Sequence, residues 1–185
     1  STDLKKWVAV SCLSLLPLAM IVPFLQVFAH QVKGANQYVL GTMTIAMIIV
    51  RLLFGIPLGK LADRIGRKKI IYLLAPLWYA SSLLLVFSLN SITLVLAGGL
   101  FGFYFISSVV TDSMTLELVP IEQMGRWSGL LGLFGGLVTI PAPLLSGLIW
   151  KNISPIYIFL IPVAVDLFLK IPLLTTVPET LHRER

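Results

Sequence analysis

Six runs of mostly apolar residues, each about 20 residues or longer, occupy nearly the whole chain. An α-helix rises 1.5 Å per residue, so about 20 apolar residues cross the hydrocarbon core of a bilayer. Only short polar segments separate the runs, and we therefore expect sequential helices to be antiparallel. We number the predicted spans one to six: Trp7–Phe28, Tyr38–Lys60, Ile70–Leu89, Ile92–Leu118, Trp127–Trp150 and Pro155–Val177.

The low charge content of the chain supports the same interpretation. Charged residues make up 12% of the 185 residues, whereas about 25% is typical of soluble domains. The sequence therefore predicts an all-α membrane protein, a bundle of six transmembrane helices with the lipid bilayer as a partner. The first run is charge-free from Trp7 to Ala29 and exceeds the ~7–15 apolar residues of a signal peptide, so we interpret it as a span.

Basic residues are distributed unequally between the two sides of the predicted bundle. Loops rich in Lys and Arg remain on the cytoplasmic side of a membrane, and the side opposite the termini carries only Lys33 and Lys151. We expect residues 1–6 to be a cytoplasmic linker or N-terminus, 7–177 the bundle and 178–185 a cytoplasmic tail, in a cell (inner) membrane. This distribution explains the net charge of +6 without a nucleic-acid partner. The cations on the side of the termini include Lys5, Lys6, Arg64, Arg67, Lys68, Lys69, Arg126, Arg183 and Arg185.

The segment between spans two and three, Gly59–Lys69, is the most specific motif. It reads glycine, three residues, Asp-Arg, one residue, then Gly-Arg-Lys-Lys, with five cations and one carboxylate. In letters and in position it resembles the loop motif of the major facilitator superfamily. The end of span five, Ala142–Gly147, and the segment Val177–Thr180 also resemble family motifs, the first with departures at Ala142 and Ser146.

The resemblance implies one half of a larger transporter. Members of this family normally carry twelve helices in two pseudo-symmetric halves, and this chain has six predicted spans. The Pro-Glu-Thr ending and the linker-like start favour the C-terminal half. We expect a second six-helix half as a partner, from the same longer chain, from a second chain or from a second copy.

The resemblance also implies a role for the basic motif as a conformational latch. Asp63 would hold span two against span five in the outward-open state, with support from Arg64 and Arg67. Gly59 would permit close approach of these spans, and Gly66 would supply a turn conformation that other residues reach at a cost. The alternative is that the charges only set topology. The predicted latch residues are Gly59, Asp63, Arg64, Gly66, Arg67 and Lys68.

Four polar or charged residues inside the spans are candidates for coupling or substrate binding, since ionisable groups in a membrane are costly. Arg51 should face the interior and needs a carboxylate or carbonyl partner. Asp112 is the best candidate for proton or cation coupling, although it could instead pair with a cation. Asp166 lies four residues before Lys170, so the two can form an ion pair on one face. Gln26, near the outer end of span one, is a candidate substrate contact.

Small residues on span five predict a close contact between two helix backbones. Ser128, Gly132 and Gly136 recur every four residues, and Gly129 and Gly135 widen this stripe. We expect a packing seam there, either static or moving during function.

The sequence contains no enzyme signature. It has no His, Cys and carboxylate cluster with metal-ligand spacing, no Gly-x-Ser-x-Gly and no P-loop, so we expect no cofactor, no metal and no enzymatic activity. The leading hypothesis is half of a secondary active transporter for a small solute, working by alternating access and driven by protons. The alternative is a membrane scaffold that binds a partner without transport. The aromatic residues suit a sugar or a hydrophobic drug equally.

Overall fold

The computed structural model describes residues 2–177, with side chains from Lys5 onward, and it confirms the all-α prediction. Six apolar helical stretches in this range are long enough to cross a membrane. The predicted tail 178–185, with its Pro-Glu-Thr motif, lies outside the described residues. The helices are α1 Thr2–Ser14, α2 Leu16–Gln31, α3 Gln37–Ile65, α4 Arg67–Phe87, α5 Ser91–Leu118, α6 Met124–Thr139, α7 Pro141–Asn152, α8 Tyr157–Val165 and α9 Ile171–Thr175.

Three of the six spans consist of more than one helical segment. Span one is divided at Leu15, two residues before Pro17, whose ring clashes with the carbonyl four residues back in a regular helix. Pro23 lies inside α2 without a break. Span five contains α6 and α7, which meet at Ile140 immediately before Pro141.

Span six contains a short π-helical segment, Asp166–Lys170, between α8 and α9. The Ile171 N–H donates to the Asp166 carbonyl, the i to i+5 pairing that defines this wider turn. Pro172 follows at once, and a proline excludes the carbonyl four residues before it in a regular α-helix. The wider turn therefore lies where a regular helix would clash.

The chain divides into two compact units. The central unit is Phe24–Val110, which contains the C-terminal half of α2, all of α3 and α4, and most of α5. The terminal unit combines the residues up to Pro23 with those from Thr111 onward.

Two glycines bring α5 close to α3 in the central unit. A Cβ built at Gly98 would lie 2.8 Å from the Met43 carbonyl oxygen, and one at Gly102 would lie 2.8 Å from the Met47 carbonyl oxygen. Such distances leave no room for a side chain, so the two backbones are in direct contact. This is the small-residue packing expected of membrane helices, at a position that the sequence analysis did not identify.

The seam predicted on span five does not form this kind of contact within the described residues. A Cβ at Gly129 or Gly132 would meet no atom within 4 Å. Gly135 is an exception, because a Cβ there would lie 2.9 Å from the Leu15 side chain. Small residues therefore recur every four positions on both α5 and α6, but it is α5 that makes the close backbone contact, with α3.

The core of the terminal unit forms around Trp7. This side chain is fully buried, and its indole N–H donates to the Thr115 hydroxyl at 3.0 Å. Helix α1 also packs against α6, α9 and the π-helical segment. These contacts place the Asp166–Lys170 segment beside the first span.

Candidate functional site

The basic motif is almost entirely helical, which corrects the expectation of a loop. Helix α3 continues to Ile65 and α4 begins at Arg67, so only Gly66 interrupts the helices. Gly66 has a φ of 108°, in the region that favours glycine, as the sequence analysis predicted for this residue. Its N–H donates to the Ala62 carbonyl at 3.0 Å.

Asp63 pairs with Arg67 across this break. The Arg67 Nη2 atom lies 3.2 Å from Asp63 Oδ1, and the Asp63 side chain is 66% exposed. Arg64 is exposed, and Lys68 is half-buried. Within the central unit, a Cβ at Gly59 would meet no atom. The carboxylate at the centre of the motif is therefore oriented by Arg67 and accessible to a further partner.

Arg51 lies at the midpoint of α3, fourteen residues from Gln37 and fourteen from Ile65. At 1.5 Å per residue this is about 21 Å from either end of the helix. Its side chain is exposed, and the guanidinium carbon lies 4.6 Å from the centroid of the Phe105 ring. A cation at this distance over an aromatic face is attracted by the ring quadrupole.

Within the central unit Arg51 contacts an aromatic ring, and no ion pair there involves it. The expected interior position and carboxylate or carbonyl partner concern the whole bundle and stay predictions. The aromatic contact follows from the packing of α3 against α5. Met43, Met47 and Arg51 succeed one another every four residues on α3, opposite Gly98, Gly102 and Phe105 on α5.

Gln26 is hydrogen-bonded to α3 on the face that also carries Arg51. Its Nε2 atom donates to the Thr44 hydroxyl at 2.9 Å, and that hydroxyl donates to the Leu40 carbonyl at 3.2 Å. Thr44 and Arg51 are seven residues apart, so they share a helix face and lie about 10 Å apart along the axis. The structure thus brings two of the four candidate residues onto one surface of the central unit.

Aromatic side chains surround the Arg51 end of this surface. Phe54, one turn beyond Arg51, is 44% exposed and its ring lies 5.5 Å from that of Phe103. Phe105 in turn contacts the rings of Phe101 and Tyr104. Phe54, Phe105 and Thr44 were missed by the sequence analysis, since only their packing against other segments relates them to Arg51 and Gln26.

Asp112 belongs to the terminal unit and lies six residues before the end of α5. Its side chain is exposed, and it forms no ion pair with the side chains of this unit that the structure describes, those of residues 5–23 and 111–177. The neighbouring Thr111 and Thr115 are buried, so the polar surface of this helix end is mostly turned toward the protein. Asp112 is therefore a carboxylate that lies inside span four and whose side chain is accessible.

Asp166 and Lys170 form the ion pair that their spacing predicted. The Lys170 Nζ atom lies 2.5 Å from Asp166 Oδ1, and the two residues are only 4% and 2% exposed respectively. The pair lies within the π-helical segment, which packs against α1. No group of three or more His, Cys, Asp or Glu side chains suited to a metal ion occurs in the described part of the chain.

The six apolar helical stretches in the described residues are long enough to cross a membrane and define a multi-pass membrane protein. Comparison with known families identifies its class further. The model of the Major Facilitator Superfamily matches residues 8–184. The chain therefore belongs to this superfamily, and the resemblance of the basic motif is confirmed at the level of the family.

The chain is also similar to proteins named as transporters. It is 31% identical over 150 residues to an uncharacterised transporter of Buchnera aphidicola, covering 80% of this chain and 38% of that protein. It is 27% identical over 162 residues to an uncharacterised MFS-type transporter of Mycobacterium tuberculosis, covering 87% of this chain and 22% of that protein. The chain thus spans less than half the length of these relatives.

Proposed function

We propose that the chain is one half of a secondary active transporter that moves a small solute by alternating access, as a proton symporter. The observation that carries the proposal is the presence of accessible charges inside the spans, Arg51 at the middle of α3 and Asp112 on α5. Ionisable residues at such depths mark substrate or ion pathways in membrane proteins. The transporter names of the relatives support the same function.

The proposal includes a second six-helix half. The relatives are more than twice as long as the matched region, and transporters of this fold place their substrate site between two repeats. The second half would come from the same longer chain, from another chain or from a second copy. We further propose that both termini are cytoplasmic, in the cell (inner) membrane, because the basic residues of the described spans favour that side.

Proton coupling assigns Asp112 the role of proton carrier, and Asp112→Asn tests it. The amide keeps the shape of the side chain and cannot release a proton. In proteoliposomes holding the full-length protein, uphill solute uptake driven by a proton gradient should fall roughly tenfold, about 1.4 kcal/mol at the coupling step. Solute exchange without a gradient should persist, because it requires binding and not proton release.

Glu122→Gln is the matched control for this variant. It also removes one carboxylate, but at an exposed position before α6, and uptake should be unchanged. Equal uphill uptake by Asp112→Asn and the wild type would exclude Asp112 from coupling. Normal expression with no flux of any solute would favour the scaffold hypothesis.

The latch proposal concerns Asp63 and its cations. A carboxylate is stabilised at a helix N-terminus, where the macrodipole is positive, and the family resemblance makes span five the partner. Asp63→Asn should slow transport several-fold, since one end state of the cycle loses a contact. The effect of Arg67→Gln should overlap with it, because Arg67 orients the Asp63 carboxylate. Initial rates of exchange in the same vesicles measure both, and a wild-type rate for Asp63→Asn would leave the motif only a role in topology.

A further inference from the structure

Arg51 is a permanent cation at the middle of an apolar helix without a counter-charge in its own unit. An arginine this deep is expensive unless water, a partner or a ligand compensates it. The aliphatic stem cannot carry the guanidinium to the charged end of α3, since Lys60, where the charged segment begins, is nine residues or about 13.5 Å away. A charge held here needs an anion or a water-filled space beside it.

The position of the guanidinium is fixed by packing. The backbone contacts at Gly98 and Gly102 hold α5 against α3, and the next turn of α5 brings Phe105 beneath Arg51 at 4.6 Å. An arginine over an aromatic ring keeps its N–H donors free in the plane of the guanidinium. This planar fork matches the two oxygens of a carboxylate.

The surroundings of the fork are apolar on one side and polar on the other. Phe54, one turn from Arg51 toward Ile65, is exposed beside the Phe103 ring. About 10 Å away in the other direction along the same face, Gln26 is held by Thr44. A ligand that contacts Arg51 and Phe54 together would have an anionic head and an apolar body.

We infer that Arg51 binds the carboxylate of the transported substrate, an organic anion whose apolar body packs against Phe54 and Phe105. The inference rests on the proposed transport function and names the substrate class for it. The Gln26 amide offers a hydrogen bond to a polar group at the far end of a longer substrate. A sugar would not require the Arg51 charge, and a cationic drug would be repelled by it.

Benzoate is a suitable probe, with benzyl alcohol and benzylamine as neutral and cationic matches of the same size. Thermal unfolding of the full-length protein in detergent measures binding, because a ligand of the folded state raises Tm. Of the three compounds, we expect only benzoate to raise the Tm of the protein. In Arg51→Gln the apparent affinity for benzoate should fall at least about tenfold, since the charge-assisted hydrogen bonds are lost.

Two further variants complete the experiment. Lys151→Gln also removes one positive charge, at an exposed position in the last turn of α7, and should keep the benzoate shift. Arg51→Lys keeps the charge without the planar fork and should bind with intermediate affinity, which tests the site even if Arg51→Gln fails to fold. Equal shifts in the wild type and Arg51→Gln would overturn the inference.

A carboxylate of the second half is the competing counter-ion for Arg51. In that case Arg51→Gln would lower the Tm of the unliganded protein and benzoate would produce no shift in the wild type, which overturns the inference. Solute flux that persists without benzoate binding would preserve the transport function and exclude an organic anion as substrate. Arg51-dependent benzoate binding without any flux would support the site and exclude transport.

Discussion

Asp166→Leu should destabilise the protein by about 3–5 kcal/mol, because it leaves a buried ammonium without its partner. Lys170 is only 4% exposed and lies inside an apolar span. Lys170→Met should also be destabilising, since it removes the cation that pairs with the buried Asp166 carboxylate. Unfolding of the purified protein in mixed micelles of increasing SDS content measures both effects.

The double variant Asp166→Leu with Lys170→Met is the decisive control. Replacing a buried ion pair by apolar residues of similar volume is often neutral or stabilising. We therefore expect the double variant to be close to wild type, with a coupling energy of several kcal/mol between the two sites. Additive losses in the double variant would mean that each residue acts through other contacts.

The double variant also separates the two roles of Asp166. As a structural partner of Lys170, Asp166 is dispensable once both are replaced, and uphill transport should be retained. As a coupling residue it is not, and the folded double variant would lose gradient-driven uptake. Its burial beside Lys170 favours the structural role.

Gly98→Ala and Gly102→Ala should each cost about 1–3 kcal/mol, the usual range for overpacking. At both positions the added Cβ would lie 2.8 Å from a backbone carbonyl oxygen of α3. A backbone atom cannot rotate away as a side chain can, so the helices must separate. The same separation would move Phe105 away from Arg51, and benzoate binding should weaken in parallel with the loss of Tm.

Gly132→Ala is the matched control on α6. A Cβ there meets no atom within 4 Å, and alanine has the higher helix propensity, by up to about 1 kcal/mol. This variant should be neutral or slightly more stable. An equal loss of Tm at Gly98, Gly102 and Gly132 would contradict the α3–α5 contact and would indicate a partner for the span-five seam.

The spans were predictable because a bilayer imposes a length and a composition that each apolar run must satisfy. The residues at which the helices end were harder to predict, as the segment after Lys60 illustrates. Its charges indicated a loop, yet charged residues are good helix formers, and α3 continues until Gly66 provides the break. A high density of charge placed this segment outside the membrane without deciding its secondary structure.

Contacts within one helix could be predicted from the sequence, whereas contacts between helices could not. The Asp166–Lys170 pair was predictable because spacing within one helix determines it. The contact of Arg51 with Phe105 was not, since it depends on which glycine-bearing face packs against α3. Small residues recur every four positions on both α5 and α6, so this spacing indicates a capacity for close approach without naming the partner.

Alternating access is the central claim, and cysteine accessibility tests it without a known substrate. The experiment uses a cysteine-free full-length protein with one cysteine introduced at a time. Val22→Cys measures accessibility one helical turn from Gln26, and Leu116→Cys measures it one turn from Asp112. Both native side chains are exposed. An impermeant maleimide is applied from each side, with and without Asp63→Asn. We expect opposite changes, with external labelling at position 22 falling and cytoplasmic labelling at position 116 rising when the latch is lost. Labelling that changes in the same direction at both positions, or at neither, would contradict it.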